Sequence, residues 1–382
     1  MTRCDCVACV VLVALALASV RASAQEHTGA PSEEPAVASE RGTRAELSGE
    51  LFAGYGARST DALATNEFEL ERGEVGIDFV WGEHFGAELR LEVIRSATAQ
   101  SLAGIDGDSL VARAKRAWGY TDTESRAGRF ELRAGLVPDP WIEAVESSFD
   151  LRGSGPTVGE RAGLFDTSDL GAAARWGYRG GLVDVHAAVT NGEGRNQVEQ
   201  NGGKNTTVVV TFRPLEFDLA GQTARIDFHL AGRDGSTGAG SSRSHRLAAA
   251  AALCQPSFGA GVELIRAYGV GDRSDRDADA LGAWGNARLY GPWLGVVARA
   301  ALIDQDRAAA ETWERVVAIG LFTDLRDRDG VRFRVYALAE DDRFGTNAGP
   351  FPGVSAAVNQ KAAMLILVAR GRNAVAERSN LR

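Results

Sequence analysis

Lysine is nearly absent from this chain. Only Lys115, Lys204 and Lys361 occur in 382 residues, so almost all positive charge is arginine. Cysteine is scarce as well: Cys4, Cys6 and Cys9 stand at the extreme N-terminus and Cys254 is alone in the body, which excludes a disulfide framework there. Beyond residue 24 there is no long apolar run. The best stretches, Leu247 to Cys254 and Ala362 to Ala369, are eight residues each. A membrane helix needs about 20, so no transmembrane helix is expected. Net charge is −9, which excludes a uniformly basic nucleic-acid binder. Glycine, by contrast, is abundant at 45 residues.

The first 24 residues read as a cleaved export signal. Arg3 supplies the positive start, Cys6 to Val20 the apolar stretch, and Ala22-Ser23-Ala24 the cleavage site. A membrane anchor is the competing reading, but the run is short and a small-residue site follows it. Removal leaves 40 basic and 50 acidic residues, with Cys254 as the sole cysteine, read as a small apolar strand residue. Residues 25–43 are polar, with Pro31 and Pro35, and read as a disordered lead-in.

A repetitive pattern follows over residues 44–370. Ala87, Leu89, Leu91 and Val93 alternate with Glu88, Arg90 and Glu92. Phe130, Leu132, Ala134 and Leu136 alternate with Glu131, Arg133 and Gly135; Ile226, Phe228 and Leu230 with Arg225, Asp227 and His229. Side chains alternate faces along a strand, so each segment has an apolar face and a charged one. Sixteen such segments are expected, near 44–57, 67–81, 85–96, 109–120, 129–137, 169–178, 182–190, 205–213, 223–232, 244–254, 258–269, 280–289, 293–304, 312–323, 331–340 and 359–369. Glu67, Glu69 and Glu71 change phase against Glu74 and Asp78, which predicts a bulge near Gly73. The alanine-rich segment Leu247 to Leu253 is compatible with a helix in isolation. A polar C-terminal tail is expected over 371–382.

Connections sort by parity. Even ones are mostly tight (Gly82 to His84, Arg179 to Gly181, Gln255 to Ser257, Tyr290 to Pro292). Odd ones are longer, the longest being the third, Pro138 to Ser168. Bacterial outer-membrane barrels have short periplasmic turns and long outer loops. The fold class is therefore all-β: a 16-stranded antiparallel transmembrane β-barrel with a long third extracellular loop. Trp81, Trp118, Tyr120, Trp176, Tyr178, Tyr290 and Trp293 stand beside tight turns and are read as an aromatic girdle.

Few features suggest catalysis, and the chain is read as no enzyme. The five His are scattered and no H-E-x-x-H occurs. Gly235-Ser236-Thr237-Gly238 has no nucleophile-elbow context. Gly202-Gly203-Lys204-Asn205 lacks the spacing of a phosphate loop. Asp275, Asp277 and Asp279 have calcium-loop spacing, but Ala280 and Asn286 stand where Gly and Glu are needed. Gly271 to Asp279 is read as a solvated acidic loop. No cofactor, metal or catalytic residue is assigned.

Motifs spread over residues 45–345 resemble those of the phosphate-selective porins O and P. They are Phe68 to Ile77, Arg133 to Pro138, Thr190 to Gly194, Ala298 to Asp304, and Ala318 to Phe322 followed by Val331 to Tyr336. Two features depart from the family: the lysine clusters are missing, and no terminal Phe closes the chain. The resemblance implies outer-membrane location, an aqueous channel, and a homotrimer. It also implies that the third loop folds inward with Asp139, Glu143, Glu146, Asp150, Arg152, Glu160, Arg161 and Asp166.

The charged strand face would line the lumen with Arg90, Arg113, Lys115, Arg133, Arg175, Arg213, Arg225, Arg299, Arg332 and Arg334. Glu88, Glu92, Glu131, Asp184, Asp227 and Glu263 share that face. Basic rings select anions and acidic rings cations. The expected function is passive diffusion of small hydrophilic solutes, anionic or neutral, with a weak anion preference. The expected surroundings are outer-membrane lipid and lipopolysaccharide, with no nucleic acid. A closed barrel with a structural or binding role is the alternative, and a soluble secreted β protein is third.

Overall fold

The computed structural model describes residues 43–60, 63–95, 110–149, 151–195, 199–291, 293–325, 331–348 and 359–378. The expected export signal, the lead-in up to residue 42 and residues 379–382 lie outside them. Sixteen antiparallel strands form one closed sheet. They are β1 (Thr43–Thr60), β2 (Ala64–Trp81), β3 (Phe85–Arg95), β4 (Leu110–Ser125), β5 (Gly128–Pro138), β6 (Ser168–Tyr178), β7 (Val183–Thr190) and β8 (Asn205–Leu219). Then follow β9 (Gln222–Asp234), β10 (His245–Gln255), β11 (Phe258–Val270), β12 (Arg273–Tyr290), β13 (Leu294–Asp304), β14 (Trp313–Leu325), β15 (Val331–Phe344) and β16 (Gln360–Arg378). Each pairs with the next, and β16 pairs with β1, so no backbone edge is left open.

Two sequence expectations are corrected. The final strand does not stop near Ala369: β16 continues to Arg378, which stands opposite Thr43, so residues 371–378 are wall and not tail. Most of the stretch read as an acidic loop, from Arg273 on, is the start of β12; only Gly271 and Asp272 turn the chain, both at positive φ. The alanine run is a strand as expected, β10, paired on both sides, where tertiary hydrogen bonding overrides local helix propensity.

Residues opposite one another in the ladder share a face, so register and exposure together separate outside from inside. Leu89, Leu132, Leu230, Leu264, Leu281, Leu302, Ile319 and Leu365 are exposed and point outward. Glu92, Asp227, His229, Glu263 and Glu314 are buried and point inward. An apolar exterior around a charged interior inverts the arrangement of a soluble protein. A continuous apolar band of this extent needs a lipid environment.

Among the described residues the pairing shifts register at six places, three of them on β2, β4 and β8. Pairing slips between Phe52 and Ala53, leaving Glu71 extra on β2, two residues from the expected position. It slips between Arg90 and Leu91, leaving Lys115 extra on β4. It slips again where Phe212 and Leu215 flank Arg213 and Pro214 on β8.

The rims differ. At one, strands are joined by short turns such as Arg126–Ala127, Ala220–Gly221 and Pro256–Ser257. At the other lie the connections 139–167, 191–204 and 235–244. Two short pairing segments, Ser236–Thr237 and Ser242–Arg243, stiffen the last of these.

Candidate functional site: the lumen and the inward loop

The connection after β5 is built to turn inward. Asp139 caps the helix Pro140–Glu146, accepting from the amides of Trp141 (2.9 Å) and Ile142 (3.3 Å), and Pro140 fits the first helical turn. A short 3₁₀ turn, Arg152–Ser154, and a single helical turn, Val158–Arg161, follow. Trp141, Ile142, Val145, Leu151 and Ala162 are fully buried. They pack with Ala248, Ala250, Ile265, Ala280, Trp284 and Ile366 of the wall into one apolar cluster. The small residues of β10 thus make room inside the barrel for this loop.

Polar ties fix it further. Trp141 Nε1 donates to Glu263 Oε1 at 2.8 Å, and Glu263 Oε2 accepts from the Val158 amide at 3.2 Å. Ser148 Oγ donates to Asp227 Oδ2 at 2.7 Å and lies 3.2 Å from His229 Nε2. Arg161 reaches Glu314 (2.8 Å) and Asp342 (2.6 Å), 153 and 181 residues away in sequence. Gly153 crosses the Tyr336 ring so closely that a Cβ would overlap it, which requires glycine there.

The loop residues named from sequence have distinct placements. Asp139 pairs with Arg233. Glu143 accepts from Arg133 (2.8 Å) and lies 3.6 Å from both Arg175 and His186. Arg152 joins Glu146 (2.8 Å) to Glu160. Asp166 accepts from the Thr167 amide and is 3.9 Å from Arg195. Asp150 lies outside the described residues.

Burial disfavours the charged form of Asp139, Glu143, Glu160 and Asp166, but their cations differ. At Glu143 the Arg133 guanidinium, backed by His186 and Arg116, outweighs burial and holds the carboxyl below its ordinary range. At Glu160 Arg152 does the same. At Asp139 and Asp166 burial prevails over Arg233 and Arg195, and both carboxyls are raised.

Most wall cations named from sequence are matched to carboxylates inside the barrel. Arg113 meets Glu92 (2.5 Å), Lys115 meets Glu74 (2.6 Å) and Arg175 meets Asp184 (2.9 Å). Arg225 and Arg213 share Asp227 (3.1 and 3.5 Å). Arg299 meets Glu340 (2.7 Å), Arg334 meets Asp324 (2.5 Å), and Arg133 joins Glu131 to Glu143. Arg332 stands exposed opposite Arg370. Arg90 is looser, 3.2 Å from Glu88 and 3.8 Å from Glu74.

Sequence reading missed Arg116, which stands directly opposite Arg90. Strict alternation would turn one of Lys115 and Arg116 outward. The bulge places both side chains inside. The same slip corrects two girdle residues. Trp118 opposes Glu88 and Tyr120 opposes Gly86, both inward positions, and the Arg133 guanidinium lies 4.6 Å over the Trp118 ring. Trp118 and Tyr120 therefore belong to the lumen. Trp81, Trp176, Tyr178, Tyr290 and Trp293 stand near the short-turn rim. Trp81 (46% exposed), Trp176, Tyr290 and Trp293 are open on the outer face, and Tyr178 stacks on Trp176 at 5.6 Å.

Toward the short-turn rim the loop leaves a cavity of about 450 Å³. Arg90, Lys115, Arg116, Arg152, Arg288 and Arg370 line it, against Glu50, Glu74 and Glu146. Cys254 lines it too, with Sγ 3.8 Å from the Ser148 carbonyl oxygen. The residue read as a small apolar strand position thus faces the lumen.

A closed sixteen-stranded wall, apolar outside and charged inside, with its longest described connection folded into the lumen, defines a porin-type transmembrane barrel. Solved structures agree on this fold. An anion-selective porin from Comamonas acidovorans superposes with a TM-score of 0.56 at 14% identity, covering 87% of this chain and 99% of that one. OmpF of Salmonella typhi, in complex with daunomycin, gives 0.58 at 11% identity, over 86% and 98%. OmpT of Vibrio cholerae in its trimer form gives 0.53 at 12% identity, over 87% and 100%. No family model and no curated protein matches the chain. At these identities the likeness is one of fold, and the resemblance to the phosphate-selective branch rests on the sequence motifs alone.

Proposed function

We propose that this protein is an outer-membrane porin through which small hydrophilic solutes diffuse passively, with a weak preference for anions. The observation that carries the reading is the cavity beneath the loop. Six basic residues line it against three acidic ones, and two of them, Arg90 and Arg116, stand opposite each other and share Glu88, at 3.2 and 3.9 Å. Arg113, Arg175 and Arg299 elsewhere on the wall are held by carboxylates at 2.5 to 2.9 Å, so the Arg90–Arg116 pair is the more loosely compensated. Fixed charge in a narrow, low-dielectric passage controls which ions enter.

In this reading the loop residues Glu143, Glu146 and Glu160 face the wall cations and set the width of the passage. Trp81, Trp176, Tyr178, Tyr290 and Trp293 rest at the periplasmic membrane interface. Residues 1–24 direct export. With three lysines in the whole chain, a general anion preference is favoured over phosphate selectivity. The likeness to a barrel solved as a trimer supports trimeric assembly.

The test is single-channel conductance in a planar bilayer under a salt gradient. Discrete steps with a reversal potential on the anion side are expected. Silence from folded, heat-modifiable protein would replace this reading with a closed barrel serving a structural or binding role.

A further inference from the structure

Buried polar atoms without hydrogen bonds gather at one place in the lumen. Glu50, Glu74 and Glu92 form one row across β1, β2 and β3. Glu50 takes Arg370, and Glu92 takes Arg113 (2.5 Å) and Arg195 (2.7 Å). Glu74 is only half satisfied. Its Oε1 accepts from Lys115 Nζ at 2.6 Å and lies 3.3 Å from Arg72. Its Oε2 accepts no hydrogen bond, although the side chain is only 3% exposed. Arg90 Nη1 stands 3.8 Å from that oxygen, beyond hydrogen-bond reach.

Donors are left over beside this acceptor. Arg90 Nε and Arg116 Nε are buried and donate to no group of the protein. Glu88 does not relieve them: its Oε1 is 3.2 Å from Arg90 and 3.9 Å from Arg116, and it accepts no hydrogen bond. Gly76 stands opposite Arg90. A Cβ there would lie 3.3 Å from Arg90 Nε, so the glycine gives this guanidinium its room over β2, beside Glu74.

Glu74, Arg90 and Arg116 all line the cavity of about 450 Å³ beneath the loop, a volume in the range of small-molecule sites. Buried polar groups left unpaired are costly, most of all when charged. Here they are of both kinds, acceptor and donor. A simple anion would serve the arginines and leave Glu74 Oε2 bare. A simple cation would serve Glu74 and meet six basic residues.

We propose that this cavity is a saturable binding site for compact zwitterions, solutes that carry an ammonium and a carboxylate on one carbon. The carboxylate lies on Arg90 and Arg116, and the ammonium donates to Glu74 Oε2. Both ends then form charge-assisted hydrogen bonds. Opposite charges 3.8 Å apart on the wall match opposite charges one carbon apart in the solute. The inference rests on the channel reading for its role in transport, and binding itself is measured separately.

The test is isothermal titration calorimetry of the folded protein in detergent at low salt. The probes are L-alanine, L-lactate (hydroxyl in place of ammonium), isopropylamine (methyl in place of carboxylate) and ε-aminohexanoate (charges far apart). L-alanine should saturate a single site, and each of the others should bind at least about tenfold more weakly. Glu74→Gln should weaken L-alanine about tenfold and L-lactate not at all, a difference that misfolding would not produce. Arg90→Gln with Arg116→Gln should weaken both. L-lactate binding as tightly as L-alanine, or no saturable L-alanine binding by the native protein, would overturn the proposal. Planar-bilayer recording of the same sample separates the two readings. Conducting channels without an L-alanine site would remove the site alone, and saturable binding by a silent barrel would remove the channel and keep the site.

Discussion

Arg90 and Arg116 face each other across β3 and β4 with both side chains inside the barrel, and the nearest carboxylate oxygens are 3.2 Å from Arg90 and 3.9 Å from Arg116. Neither is neutralised as closely as Arg113 or Lys115, their neighbours on the same wall. The double variant Arg90→Glu with Arg116→Glu should move the reversal potential to the cation side, and Arg90→Gln with Arg116→Gln should bring it close to zero. An unchanged potential in the charge-reversed protein would remove these residues from ion selection.

Cys254 offers a reporter that needs no engineering, since it is the only cysteine beyond residue 9. It lines the cavity beneath the loop. A negatively charged methanethiosulfonate added to open channels should lower single-channel current in steps, and Cys254→Ala should be insensitive. Full current after stoichiometric labelling would place the conduction path elsewhere.

Trp141 is fully buried and joins the loop to Glu263. Replacing it with alanine removes a large apolar side chain and leaves a buried carboxylate short of one donor. About 3–5 kcal/mol of loop docking should be lost. The wall itself is held by its ladder, so the expected outcome is a folded, heat-modifiable barrel with larger and noisier conductance and a loop open to protease.

Acid should release the same loop by another route. Glu143 and Glu160 are held below the ordinary value of 4.5, so they favour the docked state when ionised. That contribution is complete above the ordinary value and is lost as pH falls through their lowered pKa values. Asp139 and Asp166 are raised, so they take up protons first and oppose release. Conductance should therefore stay steady on mild acidification and become noisy only once pH falls below the ordinary carboxyl value of 4.5. Glu143→Gln should show the noisy behaviour already at neutral pH, because the docked form loses its pairing with Arg133.

Trp118 and Trp176 separate the two sides of the wall. Aqueous iodide should quench Trp118 from the lumen, and brominated lipid should quench Trp176. Variants retaining one of them each, with the other tryptophans replaced by phenylalanine, would show this in fluorescence. Quenching of Trp118 by lipid would mean that the bulge at Lys115 is absent.

The wall was legible in the sequence because its physics is local. Alternation of Leu89, Leu91 and Val93 with Glu88, Arg90 and Glu92 follows from the strand repeat alone, and each of the sixteen expected segments falls on a strand. Bulges were less legible. At Glu71 a break in the charge phase gave the signal. At Lys115 two adjacent cations, Lys115 and Arg116, gave none, and Trp118 and Tyr120 were assigned to the wrong face as a result. The loop's attachments were invisible. Arg161 finds Glu314 and Asp342, and Trp141 finds Glu263, only after closure brings strands far apart in sequence around one lumen. A run of alanines was the one trace of that packing, and it read as a strand whose composition would also suit a helix.

The long last strand has a consequence for how the chain can be rewired. Thr43 and Arg378 stand opposite each other in the seam between β1 and β16, roughly one strand spacing (about 5 Å) apart. A few glycines would join them without strain, and the ladder would register no difference. New ends could then be cut into the connection 191–204 at the other rim. A barrel permuted in this way should assemble with the same wall and the same inward loop, because its seam is only the place where one continuous ring happens to be interrupted.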